Sequence, residues 1–85
     1  MRLKIKQEAN GVHPNEVVIS VQTCDGLERL VVHKRSLESE TIEIGYPIGS
    51  FEDRYLVELP RETMRGLWRI WVKKALVLES ERLRA

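Results

Sequence analysis

The stretch "EVVISVQTCDGLERLVV", residues 16 to 32, restricts the fold more than any other part of the chain. Two runs rich in β-branched residues flank Asp25-Gly26, and an Asp-Gly pair between such runs is the strongest short-range signal for a β-hairpin. Glycine tolerates the positive φ of a tight turn, and valine and isoleucine pack well on a pleated surface. The spacing therefore predicts one strand over "EVVISVQT" and a second over "LERLVVHKR".

Shorter strands surround this hairpin. From Arg2 to Gln7 the chain alternates, with Arg2, Lys4 and Lys6 on one side and Leu3 and Ile5 on the other, the period of a half-buried strand. "NGVHPN" breaks that run with Gly11 and Pro14. "ETIEIGYPIG" predicts another strand, with Ile42 and Ile44 inward. "RYLVEL" predicts one more, ended by Pro60, which cannot donate to a ladder.

The segment "GLWRIWVKKALVL", Gly66 to Leu78, fits two periods. As a helix it gathers Leu67, Trp68, Trp71, Val72 and Ala75 on one face. As a strand it turns Trp68, Ile70 and Val72 inward and Arg69, Trp71 and Lys73 outward. An internal echo favours the strand. "GLERLVVHK" (residues 26–34) aligns without gaps on "GLWRIWVKK" (residues 66–74), and the first copy follows an Asp-Gly turn. The expected fold is mainly β, a small antiparallel barrel or roll of five to six strands that hides its edges. The alternative is α+β, an antiparallel meander covered by a C-terminal helix over residues 61–80.

With 85 residues the chain makes one small domain, taken as residues 1–78, followed by a charged tail over 79–85 that frays. A formal net charge of +1 removes the simplest electrostatic argument for a nucleic-acid or membrane partner. Cys24 is the only cysteine, so no internal disulfide can form, which fits a reducing compartment. "MRLKIKQEAN" has no apolar core of the signal-peptide type, and no apolar run reaches the roughly 20 residues that span a bilayer. The expectation is a soluble cytoplasmic domain.

Catalytic chemistry finds little support. Cys24, His13 and His33 lack paired zinc-ligand spacing, and Asp25 beside Cys24 argues against a nucleophilic thiolate. No serine is tied to a histidine by a local signature, and "GYPIGS" lacks the Gly-Lys-Ser/Thr ending of a phosphate loop. The reading is a non-enzyme with no cofactor, no metal and no small-molecule substrate.

Two surfaces qualify for binding. The loop "GYPIGSFEDRY" is unusually apolar, so Tyr46, Ile48 and Phe51, together with Trp71, are candidates to dock a protein partner or a second copy of the chain. The competing expectation is that Tyr46 and Phe51 fold back as a plug for an open barrel end. The outward faces of the echoed strands would display Arg29, His33, Arg69, Trp71 and Lys73, a cationic surface with an inset indole of the kind that holds single-stranded nucleic acid. Against it stands the acidic stretch from Glu38 to Glu62, whose strands would pair with basic neighbours across the sheet.

Overall fold

The computed structural model describes residues 1–79, so the tail from Ser80 onward lies outside the described residues. Among the described residues ten short strands form three antiparallel sheets. β2 (Lys6–Asn10), β3 (Glu16–Thr23) and β4 (Gly26–His33) make the first sheet. β7 (Gly49–Phe51), β8 (Arg54–Glu58) and β9 (Arg69–Lys73) make the second. The third joins β1 (Arg2–Lys4), β5 (Leu37–Glu38), β6 (Thr41–Glu43) and β10 (Val77–Leu78) in the order β10-β1-β6-β5.

The expected hairpin is present. β3 and β4 pair in unbroken register from Glu16 opposite His33 to Thr23 opposite Gly26. Thr23 Oγ1 locks the turn by accepting from the Asp25 N–H at 3.0 Å and donating to the Gly26 carbonyl at 2.7 Å. Gly26 adopts φ +128°, a region that a side chain would strain.

Residues 61–80 do not form the helix of the alternative reading. Among the described residues of that span the regular elements are β9, one 3₁₀ turn and β10. Gly66, at φ +88°, ends the preceding loop rather than sitting inside a helix. The fold is mainly β, as expected; the five to six strands expected in a barrel or roll are, among the described residues, ten shorter strands in three antiparallel sheets. Local breaks account for the difference. The run from Arg2 to Gln7 divides at Ile5, whose N–H still bonds the Glu40 carbonyl at 3.0 Å in the β1–β6 register, while Lys6 onward pairs with β3.

The echoed segments occupy corresponding places. Each runs from a positive-φ glycine through a strand into a 3₁₀ turn, Lys34–Ser36 or Lys74–Leu76, and then into a two-residue strand, β5 or β10. Leu30 and Ile70 are buried, as are Val32 and Val72, whereas Arg29 and Arg69 are exposed. The third sheet reads the same from either edge. Leu3 faces Ile42 at its middle, Leu37 pairs with Ile42 on one side, and Val77 pairs with Leu3 on the other. Ile5 N–H to Glu40 C=O (3.0 Å) is matched by Ile44 N–H to Met1 C=O (2.8 Å). Lys34 N–H to Asn15 C=O (2.7 Å) is matched by Lys74 N–H to Asp53 C=O (2.8 Å).

One core unites the sheets. Leu3, Ile42, Val17, Ile19, Leu30, Val57 and Val72 are almost wholly buried in a single cluster. At about 1.5–3 kcal/mol for each fully buried aliphatic side chain, this cluster is the main stabilising term of so small a domain. Edges are covered reciprocally: the Cys24 N–H donates to the Trp71 carbonyl on β9, and the Met64 N–H donates to the Arg29 carbonyl on β4, both at 2.8 Å.

Candidate functional site

The segment between β8 and β9 is held by its own bonds. Leu59 N–H donates to the Trp68 carbonyl at its base, Thr63 N–H to the Leu67 carbonyl, and Gly66 N–H to the Thr63 carbonyl, each at 2.8 Å. Thr63 is buried, and its Oγ1 accepts from Leu67 N–H at 3.1 Å. Arg65 reaches from this loop to Glu28 on β4, with its Nε at 3.0 Å and an Nη at 2.7 Å from the same carboxylate oxygen. The Glu28 side chain is only 7% exposed and that of Arg65 71%, so the guanidinium caps a buried acid from the solvent side. A charged group out of water needs such a partner.

This closed loop lifts Trp68 out of the strand. Alternation places Trp68 inward with Ile70 and Val72. In the structure β9 begins one residue later, and Trp68 is 50% exposed. Leu59 and Thr63, both buried, are the loop's inward side chains instead. Trp68 and Pro60 line each of two grooves of about 400 Å³. One is lined by Ile44, Tyr46 and Leu59 together with Glu43 and Glu58. The other is lined by Val31 and Met64 together with Arg61 and Glu62. Tyr46 is 82% exposed and Phe51 58%, so neither plugs the interior.

Both carboxylates of the first groove are paired with cations. Glu58 lies 3.6 Å from Arg69, and Glu43 binds the N-terminal ammonium at 3.0 Å and Arg2 at 3.2 Å. The hydrogen bond from that ammonium holds the Glu43 carboxyl below its ordinary range, against an opposing effect of burial, and the charges of the ammonium and Arg2 add to the lowering. Both carboxylates keep more than half of their side-chain surface in solvent.

The remaining candidates divide between surfaces. Register puts Arg54 beside Lys73, Leu56 beside Trp71 and Glu58 beside Arg69 on the outer face of β7-β8-β9. Trp71, expected to be exposed, is half-buried there, close to Gly49, where an added Cβ would sit 3.8 Å from its ring. Phe51 pairs with Arg54 on the same face, whereas Tyr46 and Ile48 precede β7. Arg29 and His33 belong to the other three-stranded sheet, and His33 Nδ1 accepts from Arg35 N–H at 3.3 Å, capping the first 3₁₀ turn. The structure thus brings Arg69, Trp71 and Lys73 together on β9 and leaves Arg29 and His33 on β4. Arg2, placed outward by alternation, is instead drawn among Thr41, Glu43 and the Ser36 carbonyl.

Sequence reasoning missed Trp68, Pro60 and Met64 as surface residues. The only signal available was Gly66, whose positive φ marks the end of a shaped loop rather than a strand interior. Among the described residues no group of three His, Cys, Asp or Glu side chains gathers to hold a metal, and no helix is long and apolar enough to cross a membrane. Compared with known proteins, the chain matches no family model, and no curated protein or solved structure is significantly similar to it.

Proposed function

We propose that the chain is a non-catalytic interaction module, built by doubling of one five-strand unit, that docks a protein partner through the face formed by Tyr46, Pro60, Met64 and Trp68. The observation that carries this reading is the exposure of Tyr46 and Trp68, which line one groove together. Exposed tryptophan and tyrosine beside a depression are the usual energetic anchors of protein interfaces, because they bury much area for little loss of rotamer freedom. The loop that presents Trp68 is fixed by internal hydrogen bonds, so little ordering cost remains at docking. A random-peptide display selection against the full chain tests the reading. Binders enriched on the parent protein lose binding to Trp68→Ala and Tyr46→Ala. Enriched binders that bind both variants as well as the parent would sink it.

A further inference from the structure

We infer that a segment of another protein binds the chain as an added strand along the open edge of β4 at Val31, with an apolar side chain set among Val31, Met64 and Trp68. The inference rests on the docking reading above and deepens it by fixing the form of the ligand.

The backbone carries the inference. Residues of an antiparallel pair alternate between those that bond the partner strand and those whose N–H and C=O point away from it. The Arg29 carbonyl accepts from Met64 outside the sheet, and Lys34 N–H continues the β3–β4 ladder by donating to Asn15. Val31, two residues beyond Arg29, therefore turns its N–H and C=O away from β3, to the side where β4 has no neighbouring strand. Among the described residues neither group of Val31 has a hydrogen-bond partner. A free donor and acceptor side by side on a strand edge are what an added strand takes up.

The internal echo shows why this point is left open. Cys24 and Met64 each stand two residues before the glycine that opens a repeat, and each donates its N–H to the other half. Cys24 bonds the Trp71 carbonyl, and Trp71 aligns with Val31. Met64 bonds the Arg29 carbonyl instead, two residues short of Val31. The bond that covers the β9 edge at Trp71 has no counterpart on β4.

Space and side chains agree with the backbone. From Arg29 toward His33 no hydrogen bond among the described residues ties the β8–β9 loop to β4. Val31 there lines the groove of about 400 Å³ with Pro60, Met64 and Trp68. A ligand residue paired with Val31 through both its N–H and C=O projects its side chain to the same face as Val31. That side chain meets the apolar lining, which favours an apolar residue. The loop also disfavours a second copy of β4 as the added strand. A two-fold pairing about Val31 would set His33 of the copy opposite Arg29, where Met64 already bonds.

The test uses the tightest Trp68-dependent peptide from the display selection, remade by synthesis with each backbone amide N-methylated in turn. Methylation at every second amide of the bound stretch is expected to weaken binding at least tenfold, and methylation between them to have little effect, since only alternate amides face the edge. On the parent chain the peptide is expected to slow hydrogen exchange of the Val31 amide at least tenfold. Val31→Pro removes an N–H that the β3 ladder does not use, so it should keep the circular dichroism of the parent while weakening the peptide at least tenfold. Losses without alternation, or a Val31 amide whose exchange the peptide leaves unchanged, overturn the added strand and leave the docking face standing. If Val31→Pro does not fold, the methylation scan and the exchange measurement decide between these outcomes. A selection that yields no Trp68-dependent peptide fails the docking reading itself. Slowing of Val31 exchange that grows with protein concentration, without peptide, overturns the inference in favour of a second copy.

Discussion

The sheets β2-β3-β4 and β7-β8-β9 share a strand order and a 3₁₀ exit, yet they present different surfaces. In the first, β3 and β4 are eight residues each and meet in a tight turn at Cys24 and Asp25. In the second, β8 and β9 are five residues each and are joined through residues 59–68. The core-facing pair Leu30 and Val32 corresponds to Ile70 and Val72, with only a change of aliphatic shape. Outward positions diverge: Val18 beside Val31 corresponds to Leu56 beside Trp71, and Glu16 beside His33 corresponds to Arg54 beside Lys73. The position of Trp68 is taken in the first half by Glu28, which is buried and capped by Arg65. Shared interior positions keep their chemistry because close packing penalises changes of volume, while solvent-facing positions are free to specialise. The grooves lie beside the longer of the two connections.

Five measurements would break or sharpen that comparison. The largest effect is expected where the halves meet. Leu3→Ala and Ile42→Ala remove fully buried side chains that face each other. Each should cost about 2–5 kcal/mol by urea unfolding. Both sheets should melt together in either variant, and selective loss of one would mean that the halves fold independently.

Next comes Gly11→Ala. A Cβ there would lie 2.8 Å from Glu16 Cβ and 3.0 Å from its backbone, so the β2–β3 connection must shift, at about 1–3 kcal/mol. Gly45→Ala meets nothing within 4 Å and serves as the near-neutral control in the second half.

Arg65→Ala should cost about 1–3 kcal/mol in thermal unfolding, because it strands the buried Glu28 carboxylate. Combining it with Glu28→Leu should recover most of the loss, since removing both partners leaves no orphaned charge. A double variant as unstable as the single one would show that the pair fixes the loop by geometry alone.

Trp68→Ala should change stability by less than about 1 kcal/mol, being half-exposed, while abolishing groove binding. Trp71→Ala, packed near Gly49 and Leu56, should be the more destabilising of the two. The reverse order would exchange their roles.

The smallest effect is that of pH. A carboxyl held below its ordinary value contributes stability above the unfolded value of 4.5, and that contribution is lost as pH falls through the folded value. Glu43→Gln should therefore flatten the acid side of the stability profile, read as urea midpoints from neutral pH to below 4.5, by a small amount because the side chain is mostly solvated.

Local periodicity and turn chemistry made much of the fold legible. Asp25-Gly26 located the long hairpin, and the alternation around Ile42 and Ile44 located two buried positions. The echo rightly favoured a strand at Arg69–Lys73. What stayed illegible depends on neighbours remote in the chain. Arg2 looks outward by alternation, but β1 lies between β6 and β10, and Thr41 and Glu43 across the ladder draw its guanidinium in. Trp68 shares the alternation of Ile70 and Val72, and only the closure of the loop by Leu59, Thr63 and Gly66 turns it out. Of the candidate site, Tyr46 could be named from its loop, whereas Pro60 and Met64 could not, because nothing local says which side of a connection faces water.

The pairing of β1 with β10 sets a condition on synthesis. Arg2 and Leu3 leave the ribosome well before their partners on that side, Val77 and Leu78. Until those arrive, one flank of β1 stays bare, an invitation to association with other nascent chains. Lys4, exposed on β1, and Lys6, exposed just beyond it, stand guard over that flank during the wait.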